Sequence, residues 1–79
     1  MMVRWKVQQY LSTHGKSAYA LWKASGLSKT TVYAITSGKL IRTDFETLAK
    51  VINGLEKLTG KRVEPNDVLE VVRDAQADQ

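Results

Sequence analysis

Seventy-nine residues make one domain with a small core, burying somewhat more than roughly 60% of the unfolded surface. The lack of cysteine excludes a disulfide staple and a thiolate metal site, and a single histidine, His14, excludes a histidine cluster. The net charge of +4 is unevenly spread: residues 1–43 carry seven Lys or Arg and no Asp or Glu, while residues 44–79 carry five basic and eight acidic residues, a division of +7 against −3 that is the footprint of a polyanion partner.

Taken in chain order, Val3, Trp5 and Val7 alternate, which predicts an extended start. Val7, Leu11 and His14 then share one face of a first helix over 6–14, with Tyr10 at its edge and Gly15 after it. Trp5 stands off that stripe. Ser17 is a good N-cap for a second helix over 18–25 with Leu21 as its core residue, and Gly26 suits a left-handed turn. Ser28 can cap a third helix over 29–37, closed by Gly38. Thr43-Asp44-Phe45-Glu46 reads as a T-x-x-E capping box before the strongest helical pattern in the chain, Phe45, Leu48, Val51, Ile52, Leu55 and Leu58. Gly54 interrupts that helix at a cost of up to about 1 kcal/mol relative to Ala, as expected where another backbone comes close. Gly60 stops it, residues 61–64 read as briefly extended, and Pro65 opens a short last helix with Val68, Leu69 and Val72 apolar. A domain over 1–73 and a polar tail over 74–79 follow.

The third helix is the informative one. On a wheel of about 100° per residue, Val32 and Ile35 point inward, while Thr30, Tyr33, Ala34 and Ser37 point outward and Lys29 lies on the exposed first turn. Hydroxyls, a methyl, an aromatic ring and a cation without a carboxylate can enter the major groove of B-DNA without repelling phosphates. With the second helix, it reads as a helix-turn-helix.

Residues 21–39, LWKASGLSKTTVYAITSGK, resemble the lambda-repressor/Cro-type helix-turn-helix domain of the XRE-like regulators. Leu21, Gly26, Ser28, Val32, Ile35, Gly38 and Lys39 stand at that family's spacing. TDFETLAKVINGL (43–55) is similar to the family's fourth helix and PNDVLEV (65–71) to its fifth, so the likeness spans most of residues 6–72. It implies an all-α, compact five-helix domain with the helix-turn-helix at helices 2 and 3 and the third helix in the major groove. Carried over by position, Lys29, Thr30 and Ala34 approach base edges with Tyr33 beside them. Ser17, Ser28, Ser37, Lys39 and Arg42 hold phosphates. Three positions depart from the family. Trp22 replaces a small Ala, and must either point aside or widen the crossing of helices 2 and 3, core filling being the ordinary role of such a ring. Ala18 replaces a glutamine, and Ala34 a longer polar base reader.

The expected function is a sequence-specific duplex-DNA-binding transcriptional regulator of bacterial or phage type, a repressor by occupying its operator. It is cytoplasmic, since neither MMVRWK nor any later run has the apolar length of a signal peptide or membrane span. One domain covers half a site, so a homodimer is expected, with Trp5, Val68, Leu69 and Val72 as its candidate surface. The alternative is an antitoxin-like module whose partner is a toxin or other protein, with DNA binding secondary. Non-specific nucleic-acid packaging comes third. No nucleophile–base–acid spacing or phosphate loop is present, so no enzyme activity, cofactor or metal is expected.

Overall fold

The computed structural model describes residues 2–39 and 43–72; Arg42 and the polar tail lie outside them. In chain order these residues form β1 (Met2–Trp5), α1 (Val7–Thr13), α2 (Ala18–Ser25), α3 (Lys29–Thr36), α4 (Phe45–Thr59), α5 (Pro65–Val68) and β2 (Leu69–Val72). The core is aliphatic. Val7 and Leu11 from α1, Leu21 from α2, Val32 and Ile35 from α3, Val51 and Leu55 from α4, then Val63 and Val68, form one buried cluster. The helical spacing read from the sequence is what lets each short helix supply one or two of these side chains.

Packing centres on α2 against α4. Gly54 is buried at that crossing, where a Cβ added to it would stand 2.8 Å from Ser25 Cβ and 2.9 Å from Ser25 Cα. The close approach expected from Gly54 is therefore between the backbones of α4 and α2. Ser25 is the one buried polar residue among those described, and its Oγ accepts from Leu27 N at 3.2 Å. At the far end of α4, Glu56 Oε2 accepts from Val63 N at 2.9 Å, which ties the segment after the helix back to it, and Glu64 at its end is extended at φ −100°, ψ 159°.

Two features of α4 differ from the sequence reading. The helix is capped by Asp44 rather than by the T-x-x-E box: Asp44 Oδ1 accepts from Thr47 N at 2.7 Å, and Glu46 turns instead to Lys50 one turn on, at 3.3 Å. Phe45 is consequently the first helical residue, and it stands 90% exposed rather than in the core stripe. Its hydrogen bonds from Thr47 hold the Asp44 carboxyl below its ordinary value. The capping contribution is therefore present above the unfolded-state value and is lost as pH falls below it through the lowered folded value. Asp44→Ala should lower the melting temperature at neutral pH and flatten its acid dependence in that window. Asp44→Asn should retain most of the neutral-pH stability, since its amide oxygen still accepts from Thr47.

The C-terminal end corrects the all-α expectation. The fifth helix is a single turn, Pro65–Val68, with the Glu64 N–H donating to Asp67 Oδ2 at 2.8 Å; Leu69 then adopts φ −123°, ψ 146°. Residues 69–72 pair antiparallel with β1, Met2 opposite Val72, Val3 opposite Val71, Arg4 opposite Glu70 and Trp5 opposite Leu69. The β-branched Val71 and Val72 favour a pleated strand over a helix, and the extended start supplies the ladder they need. Arg4 Nε meets Glu70 Oε1 at 2.8 Å across the pair. Lys6 N–H donates to Val68 O at 2.6 Å and ties the two ends to the core. Val68 is fully buried, so it is a core residue and not an outward surface; Trp5 and Leu69 are half-buried against the same core.

Candidate nucleic-acid interface

The turn between α2 and α3 is built from three residues. Gly26 takes φ 78°, a left-handed conformation that lets α2 stop abruptly, and Leu27 is half-buried against the core. Ser28 then caps α3: its Oγ accepts from Thr31 N at 3.1 Å and donates to Thr31 Oγ1 at 2.7 Å. Ser17 caps α2 in the same way, accepting from Ala20 N at 3.1 Å. Val32 and Ile35 anchor α3 and leave its other side outward.

That outer side is concave. Thr30, Tyr33, Ala34, Ser37 and Lys39 line one open depression of about 640 Å³ together with Gln8 and Ala18. Five of the residues singled out in the sequence thus share one surface. Tyr33 is 41% exposed and faces this depression. The small Ala18 is accompanied there by the carboxamide-bearing Gln8, contributed by α1. Sequence reasoning missed Gln8, because nothing local to α1 shows that its polar side meets α3. A second depression shares Gln8 and Ser37 with it and is lined also by Lys6, Gln9 and the Arg4–Glu70 ion pair.

Ser17, Ser28 and Lys29 do not line the first depression. The Ser28 hydroxyl is committed in both directions to Thr31, so only its backbone N–H and those of the first turn remain to meet an anion. Ser37 Oγ donates to Ala34 O at 3.3 Å while staying exposed. Lys39 lines the concave surface, whereas Arg42 lies outside the described residues. Lys29 does not line that surface. Its ammonium lies 5.7 Å from the centre of the Trp22 ring. Trp22 is half-buried and packs against the hydrophobic core, the ordinary role of such a ring, with the Lys23 and Lys29 ammonium groups near its indole.

The electrostatics match the sequence division. Neither α2 nor α3 carries an acidic residue in its first turn, and residues 1–43 contain no carboxylate, so no negative charge on these helices opposes a polyanion. No helix among the described residues is long and apolar enough to cross a membrane.

Comparison with known families places the chain. The sequence model of the Cro/C1-type HTH DNA-binding domain matches residues 6–60, from the start of α1 to the end of α4. No curated protein and no solved structure matches the chain at a significant level.

Proposed function

From the chain's membership of the Cro/C1-type helix-turn-helix DNA-binding family, we propose that it is a sequence-specific transcriptional regulator, a repressor by occupancy, whose helix-turn-helix is α2–α3. The observation that carries this reading is the concave, carboxylate-free outer side of α3, where Thr30, Tyr33, Ala34, Ser37 and Lys39 converge. A helix of eight residues pinned by only two buried side chains, Val32 and Ile35, can enter the major groove with its outer side intact.

In this arrangement Thr30 and Tyr33 offer hydroxyls to base edges, and Ala34 meets a thymine methyl. Gln8 reaches the same groove from α1 with a carboxamide that can both donate and accept. Lys39 and Lys6 flank the groove and hold phosphates, as do Ser17, Ser37 and the backbone amides of the first turn of α3. A domain of this size covers half a site, so useful affinity calls for two copies. Trp5, Leu69 and Val72 remain the surface proposed for their contact, now on or beside the strand pair.

Selection from a randomised DNA duplex at near-physiological salt tests the reading. Enrichment of an inverted repeat supports specific reading by a two-fold dimer; binding without any enrichment overturns sequence-specific regulation. With four to six phosphate contacts, log affinity should fall against log salt with a slope of about −4 to −5. Lys39→Ala should flatten that slope by about one while leaving the selected sequence unchanged. A changed sequence with an unchanged slope would make Lys39 a base reader instead.

A further inference from the structure

Trp22, Tyr19, Lys23 and Lys29 form a cluster that the concave surface does not include. Tyr19, Trp22 and Lys23 lie three and four positions apart on α2, hence on one side of it. The Tyr19 and Trp22 rings meet edge to face at 5.5 Å. Lys23 Nζ lies 4.9 Å from the Trp22 ring centre and 5.7 Å from that of Tyr19, and Lys29 Nζ reaches the same indole from α3. Neither ammonium takes part in an ion pair among the described residues.

Left to itself, this arrangement is unfavourable. Two like charges converge, and Lys29 stands at the N-terminal end of α3, where the helix dipole disfavours a cation. The negative faces of the aromatic rings offset that repulsion. A carboxylate in the same place would fix the lysines but cancel their charge. An indole fixes them and leaves both charges available to an anion.

We propose that Trp22 is a positioning residue that turns Lys29, together with Lys23, toward the phosphate backbone at the flank of the duplex, so that Lys29 grips phosphate and does not read a base. This rests on the DNA-binding reading above. It reverses the role that position alone gives Lys29, and base discrimination then belongs to Thr30, Tyr33, Ala34 and Gln8. Where the family usually has a small Ala, the large ring thereby gains a part in the contact with DNA.

Two measurements test it. In the free protein, ring currents should shift the Lys29 side-chain methylene protons upfield, an effect kept in Trp22→Phe and lost in Trp22→Leu. The absence of that shift in the wild-type protein would overturn the proposal without reference to DNA. On the selected duplex, Lys29→Ala should flatten the salt slope by about 0.9 with the preferred sequence unchanged. Trp22→Leu should weaken binding roughly two- to fivefold, Trp22→Phe should restore most of that loss, and Trp22→Leu should add less than twofold once Lys23 and Lys29 are both alanine. An altered preferred sequence in Lys29→Ala overturns the proposal. So does an undiminished Trp22→Leu loss without the two lysines, which would mark a purely structural ring; thermal unfolding of each variant confirms that it folds. Failure of the wild-type chain to bind duplex DNA at any salt would instead sink the regulator reading itself, and is distinguishable from every variant result.

Discussion

Gly54→Ala is expected to lower the unfolding free energy by about 2 kcal/mol, read as a lower midpoint in urea at unchanged slope. The added methyl would sit 2.8 Å from Ser25 Cβ and 2.9 Å from Ser25 Cα, with Leu21 Cδ1 at 3.1 Å. Overpacking of this kind costs about 1–3 kcal/mol, and the upper end applies because one of the atoms met is backbone and cannot rotate away. Alanine returns about 1 kcal/mol of helix propensity, which reduces the loss without reversing it. For a small domain stable by only 5–15 kcal/mol, as is typical, this is a large fraction of the total. A midpoint that rises would show that α2 and α4 do not meet at this glycine.

Thr30→Glu should separate binding from folding. Thr30 is exposed on the first turn of α3, where a carboxylate is favoured by the helix dipole by about 0.3–1 kcal/mol, so the melting temperature should hold or rise. The same carboxylate would face the phosphates and base acceptors of the duplex. Like-charge juxtaposition costs several kcal/mol, and about 2.8 kcal/mol corresponds to a 100-fold loss of affinity. Fluorescence anisotropy on the selected duplex and a thermal melt, taken together, give the answer. Unchanged affinity in a folded variant would mean that the outer side of α3 does not face DNA.

Much of this molecule was legible because its signals are local. Ser17, Gly26 and Ser28 set the limits of α2 and the start of α3 through hydrogen bonds and a backbone conformation that span only a few residues. Val32 and Ile35, three apart, fixed which side of α3 faces inward and so which side faces out. The errors are of two kinds. At the start of α4 two capping residues compete one position apart and Asp44 caps in place of Thr43, while Phe45, on the first turn, lies beyond the elements that cover the rest of its stripe and stands 90% exposed. The helical period of Val68, Leu69 and Val72 was overridden by pairing with β1; the alternation of Val3 and Trp5 marks that strand as extended, but nothing local marks its partner, since Arg4 and Glu70 stand 66 positions apart. The same limit hid Gln8 and the Lys29–Trp22 contact, each of which joins different helices across the fold.

The strand pair also sets an order of events. Joining Met2 to Val72 closes nearly the whole chain into a ring. Packing of Val7 and Val68 into one core already brings the two ends together, so the ladder adds only its own few hydrogen bonds. It adds little buried surface, for Val3 and Val71 remain 52% and 51% exposed. The ring therefore closes last in folding and opens first under strain, when hydrogen exchange would find Arg4 and Glu70 unprotected ahead of Leu21 and Leu55. The clasp can spring open while α2, α3 and α4 hold together. A protein whose proposed assembly surface lies on that clasp would then lose its partner before it loses its shape.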